Sequence, residues 1–103
     1  MKKPKPIRTL AQFFVADPKN YSPEPDVMPG PEQRGVEHLQ DVLRTLNVKR
    51  LGKKSMRRAD NFLACMYYVD ILMSAKAITP TLGATIIDTV IMMRGRDQEV
   101  RRG

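Results

Sequence analysis

The sequence has no tryptophan, one cysteine, one histidine and few aromatics, which make up 6% of its 103 residues. A lone Cys65 excludes an internal disulfide and suits a reducing compartment. It lies in an apolar stretch, where free cysteine behaves as a small buried hydrophobe; the other reading is a disulfide between two copies. With His38 as the single histidine there is no cluster of metal-ligand type and no partner set for nucleophilic catalysis. His38 reads as a surface or rim residue. Long hydrophobic runs are missing too. Ala77–Ile87 is uncharged but broken by Pro80 and Gly83, and Asn61–Val69 ends at Asp70. A membrane span needs about 20 apolar residues. The basic start, Met1 to Pro6, lacks the apolar stretch that a secretory signal requires. The expectation is a non-secreted protein without a transmembrane span, cytoplasmic or within a viral particle, needing no cofactor and no metal.

Acidic side chains are the scarcer charge, eleven against eighteen Lys and Arg, for a net charge of +7. A surplus of that sign favours an anionic partner: nucleic acid, an acidic protein surface or an anionic membrane surface. A hydrophobic content of 42% supports folding, and the length allows one domain.

Six prolines lie in residues 1–30, which read as an extended, basic, Pro-rich arm. One island differs. Thr9 and Gln12 match a capping box opening a short helix near 10–16, with Leu10, Phe13 and Phe14 on one side. Three helices follow, at about 31–47, 55–75 and 80–94, making an all-α three-helix domain over 31–95. The first opens with Gly30 and Pro31, and Val36, Leu39, Val42, Leu43 and Leu46 form its apolar stripe. Ser55 is the expected cap of the second, which is apolar on every side from Phe62 to Met73 except at Asp70. Two neighbouring helices leave part of such a helix uncovered. The Leu10–Phe14 island or a partner is expected to lie on it, so Leu10, Phe13, Phe14 and Tyr68 are the candidate partner-binding residues. Thr79 and Pro80 start the third helix, Gly95 is the expected terminator, and 96–103 reads as a basic polar tail. The methionines at core-like positions read as packing filler.

The strongest functional mark is the run Lys49, Arg50, Lys53, Lys54, Arg57 and Arg58. Residues 49–58 carry +6, and the other ninety-three share +1. If Ser55 is the cap, Arg57 and Arg58 stand in the first helical turn, against the dipole, at about 0.3–1 kcal/mol each. An anion there removes the penalty. Gly52-Lys-Lys-Ser55 is not a phosphate loop, since Asn47 stands where the earlier glycine is needed. With neither zinc-ligand set nor zipper, contact with phosphate backbones is favoured over base reading. Two functions fit. One is a non-enzymatic structural or accessory component of a nucleoprotein assembly, a virion or ribosome-like particle, within a larger assembly or homo-oligomer. The other is a protein-binding adaptor docking through the apolar second helix and the arm.

Overall fold

The computed structural model describes residues 5–21, 30–46 and 55–102, the last five for their backbone. Among them the elements are α1 (Leu10–Val15), a 3₁₀ turn (Pro18–Tyr21), α2 (Pro31–Arg44), α3 (Ala59–Ser74) and α4 (Pro80–Arg102). The fold is all-α, and the three longer helices form a bundle around one core. Leu39 and Leu43 of α2, Val69 and Leu72 of α3, and Leu82, Ile86 and Met93 of α4 are buried in it. Each buried aliphatic of this size contributes about 1.5–3 kcal/mol.

Local chemistry sets the helix starts. At α1, the Thr9 hydroxyl accepts from the Gln12 amide at 3.2 Å. Gln12 Oε1 accepts from the amide of Arg8 at 3.1 Å, one residue upstream of the position a capping box reaches. Gly30 caps α2 with Pro31 behind it. At α4, Thr79 Oγ1 accepts from the Leu82 amide at 3.2 Å. The α2 stripe is as expected, with Leu46 only partly buried against the core, and Glu37, Asp41 and Arg44 face solvent.

The arm closes on its own domain. Phe13 is completely buried. Gln40, a buried polar residue inside the α2 stripe, donates from Nε2 to the carbonyls of Phe13 at 2.9 Å and Ala16 at 2.8 Å. It thereby adds a bond to the Phe13 carbonyl, which also accepts from the Ala16 amide at 3.4 Å, and closes the Ala16 carbonyl at the end of the short helix. Further back, Ile7 donates to Ala77 O at 2.9 Å and accepts from Thr79 N at 3.0 Å, a single bridge to the α3–α4 turn. The island is therefore clasped to α2. It leaves Leu63 and Tyr67 of α3 exposed, so it is not the cover that the apolar helix was expected to have.

Three expected boundaries differ. The first helix ends at Arg44 rather than near 47. The second begins at Ala59, not Ser55: residues 55–58 form a turn, closed by Arg58 N donating to Ser55 O at 3.2 Å. Its C-terminus is a complete Schellman motif. Ala77 N donates to Leu72 O and Lys76 N to Met73 O, and Lys76 takes the left-handed position at φ 60°. The third helix passes through Gly95 and includes residues expected to form a polar tail.

Gly95 does not stop α4 because nothing there favours another course, and the two residues after it are anchored by side-chain bonds described below. A Cβ added at Gly95 would meet no atom within 4 Å. Glycine in an open helical position costs about 1 kcal/mol relative to alanine. Gly95→Ala is therefore expected to raise stability by about 1 kcal/mol and the melting temperature by about 4–8 °C, read by thermal denaturation.

Candidate nucleic-acid interface

Of the basic run, Lys49, Arg50, Lys53 and Lys54 lie outside the described residues, and Arg57 and Arg58 lie within them. Both arginines are exposed. Arg58 is the N-cap of α3, not a member of its first turn, and no side chain caps the helix there. Its guanidinium turns to Asp60 at 3.4 Å, an ion pair with both partners exposed. The Arg58 side chain, as the largest of several causes, holds the Asp60 carboxyl below its usual range. Asp60 in the first turn suits the helix dipole. The expected conflict between arginines and the start of α3 is thus smaller than the sequence suggests. Arg57 and Arg58 precede the helix, and Asp60 answers one of them.

The geometry around this turn is set by two adjacent residues of α4. Asp97 Oδ2 accepts from the Met56 amide at 2.8 Å and the Ser55 hydroxyl at 3.0 Å. Ser55 Oγ accepts in turn from the Arg57 amide at 3.2 Å. Its carbonyl takes a bond from Asn61 Nδ2 at 3.0 Å. Arg96, next to Asp97, donates to the carbonyl of Leu46 and lies 3.5 Å from Asp97 Oδ1. Leu46 on one side and Ser55 and Met56 on the other are therefore held to one turn of α4. The Asp97 side chain is 8% exposed and the Arg96 side chain 34%. A charge that deep needs partners, and these bonds supply them.

This clasp joins Ser55 and Met56 to a turn of α4 that lies about 40 residues further along the chain. α4 carries Arg94, Arg96, Arg101 and Arg102, and its backbone continues about 8 Å past Asp97. Residues 49–58 and 94–102 together hold ten of the eighteen cations and two of the eleven acids, leaving eight cations against nine acids elsewhere. Arg94 also lies over the Phe62 ring, 4.4 Å from its centroid. The functional pair missed by sequence reading is Arg96 and Asp97, assigned to a tail. A signal did exist: adjacent opposite charges one turn after an apolar stripe.

The candidate partner-binding residues are placed differently from expectation. Phe13 belongs to the protein's own core, and Leu10 and Phe14 pack half-buried against it. Tyr68 packs inward between His38, at 5.2 Å between ring centroids, and Tyr67, at 5.5 Å. Gly35 admits it: a Cβ there would stand 3.2 Å from Tyr68 Cδ1. The outward tyrosine is Tyr67. Cys65 is fully buried, its Sγ 3.7 Å from Met56 Sδ, and burial pushes its thiol up to about 11. Among the described residues, no group of three or more His, Cys, Asp or Glu is placed to hold a metal ion, and no helix is long and apolar enough to cross a membrane. No protein-family model, curated protein or solved structure matches the chain.

Asp97→Ala should cost about 1–3 kcal/mol in urea denaturation, because the Met56 amide loses its acceptor while Met56 stays buried. Asp97→Asn keeps an acceptor oxygen and should cost less. His38 supplies a pH test. Its ring is half-buried on Tyr68, with Nε2 buried and unpartnered. Burial holds it below its usual value, opposed by the Asp41 carboxylate. The unfolded chain, with an imidazole near 6.5, then binds the proton more readily than the folded one. Stability is full above about pH 6.5 and declines as pH falls from there through the folded value. Denaturation midpoints at pH 7.5 and 5.5 should differ more for the native chain than for His38→Gln.

Proposed function

We propose that this protein is a non-enzymatic accessory component of a nucleoprotein assembly that contacts nucleic-acid phosphates through the segment 49–58. The observation that carries the proposal is that Asp97 holds Ser55 and Met56, within that segment, to the same turn of α4 from which Arg96 holds Leu46. Six cations without an acid between them repel one another. A polyanion relieves that repulsion. Arg94 and Arg96 of α4 lie in the same turn and add to the field. Arg57 and Arg58, exposed just ahead of α3, stand where free helix amides and cationic side chains converge. Recognition on these terms is of backbone and shape rather than of bases.

The second function, an adaptor acting through α3, keeps one supporting observation: Leu63 and Tyr67 are exposed. It no longer involves Phe13 or Tyr68 as contact residues. Changes there would disturb the core before they tested a partner.

Retention on nonspecific DNA and RNA, measured at two salt concentrations, tests the proposal. Four phosphate contacts predict a log–log slope of affinity against salt of about −3 to −4. Reversing Lys53, Lys54, Arg57 and Arg58 to Glu should abolish retention, and Leu63→Ala with Tyr67→Ala should leave it unchanged. Absence of retention at low salt would sink the proposal.

A further inference from the structure

We infer that the outer face of α3 and α4 is the interface of a symmetric homodimer. α3 and α4 run antiparallel, with Phe62 under the Arg94 guanidinium at one end. At the other end a Cβ on Gly83 would fall 2.4 Å from Met73 Sδ, so the helices are in close contact there. Helical spacing from these two anchors places Leu63 and Ile91 beside the seam, on the side away from the core. Leu63 is 63% exposed, Tyr67 59% and Ile91 51%. Three large apolar side chains on adjoining helix faces form a patch of the kind that marks an interaction surface.

Charge selects the occupant. Along this face Arg94 stands at one end, beside an Arg58 already paired with Asp60, and the exposed acids Asp70 and Asp88 stand at the other. Between residues 59 and 93 the single cation is Lys76, in the α3–α4 turn. Ile91 lies midway between Asp88 and Arg94 on α4, and Leu63 close to midway between Arg58 and Asp70 on α3. A strip that is positive at one end, apolar in the middle and negative at the other is complementary to itself turned end for end. A two-fold axis near Ile91 sets Arg94 opposite the partner's Asp88 and Asp88 opposite the partner's Arg94, with Leu63 and Ile91 packed at the centre. This is the condition of an isologous interface, where each contact occurs twice. The alternative alignment, head to head, sets like charges together, which is strongly unfavourable in a desolvated contact. The second copy also supplies the cover that the all-round apolarity of α3 calls for and that the arm does not provide.

The inference is independent of the phosphate-binding proposal and is tested without nucleic acid. Sedimentation equilibrium of the full chain over a range of concentrations should show a monomer–dimer equilibrium, with mass rising toward twice 11.7 kDa. Leu63→Lys and Ile91→Lys, both at exposed sites, should leave helicity and melting of the dilute protein unchanged and weaken dimerisation about tenfold or more. Asp88→Arg should weaken it likewise, and adding Arg94→Asp should restore most of the loss. A chain that stays monomeric up to about 1 mM, the limit of weak association, overturns the inference and assigns the face to a different protein. So does a dimer indifferent to both lysine substitutions.

Discussion

The contact between Arg96–Asp97 and the ends of the basic segment is the constraint on which the rest of the arrangement depends. It joins residues 42 and 50 positions apart in the chain, Ser55 to Asp97 and Leu46 to Arg96. Without it, α4 has no reason to continue beyond its exposed glycine, and α3 has no fixed point from which to start. With it, the Met56 amide is satisfied, the Met56 side chain is held in the core beside Cys65, and the turn ahead of α3 has one geometry. Charge-assisted bonds of a carboxylate to a backbone amide are about twice as strong as neutral ones. The same carboxylate that fixes the fold is therefore a negative charge placed deliberately within a positive region. Its single charge offsets only one of the surrounding cations, the nearest among the described residues being Arg96 at 3.5 Å.

A second buried polar group does the corresponding work at the other side of the bundle. Gln40 occupies a position where the apolar stripe of α2 would take a leucine, and its amide closes the end of α1. Replacing a leucine by a paired glutamine forgoes some hydrophobic transfer. In exchange it specifies where the arm must lie, since Phe13 can be buried in many ways but two carbonyls can meet one amide group in few. Phe13 supplies the energy of attachment and Gln40 its register. The prolines of the arm fit this arrangement: an extended chain carrying one short helix can reach from the α3–α4 turn, at Ile7, to α2.

Much of the fold was legible because helix starts and stripes are local. Gly30-Pro31, Thr79-Pro80 and Thr9 each cap a helix through side chains or backbone within three residues, and sequence spacing carries that information. The ends of α2 and α4 and the start of α3 were not legible for the opposite reason, whereas the ends of α1 and α3 fall within a residue of expectation. Ser55 has the chemistry of a cap, yet its hydroxyl is engaged by Asp97, and α3 begins only after a further turn. Gly95 has the conformational freedom of a terminator, yet long-range bonds immediately after it hold the helix form. The run Lys49–Arg58 was visible as charge; that the end of α4 joins it was not, because no periodicity links positions 46, 55 and 97. Of the candidate partner-binding residues Phe13 is fully buried and Leu10, Phe14 and Tyr68 half-buried, a difference set by helix faces. Tyr67 and Tyr68 differ by about 100° on a helix, and Gly35 on α2, which makes room for one of them, decides which is inside.

These points together explain why α3 is apolar on every side. Its inner positions, Cys65, Val69 and Leu72, meet the core, and Tyr68 meets α2 through the space that Gly35 leaves. Phe62 and Met73 form the seam with α4. A bundle of this size needs no more from the helix, and a chain under selection for solubility alone would place charges at positions 63 and 67. Apolar side chains are retained at both, with Asp70 and Asp88 toward one end of that face and Arg94 toward the other. The charge pattern is not that of a solvated helix, where opposite signs alternate at spacings of three or four to pair within the helix. Arg58 is answered within the copy by Asp60, but Arg94 and Asp88, at opposite ends of the α4 face, are too far apart along the helix to pair with each other. They are matched when a second copy is turned end for end, which also carries the two basic segments to opposite ends of the pair.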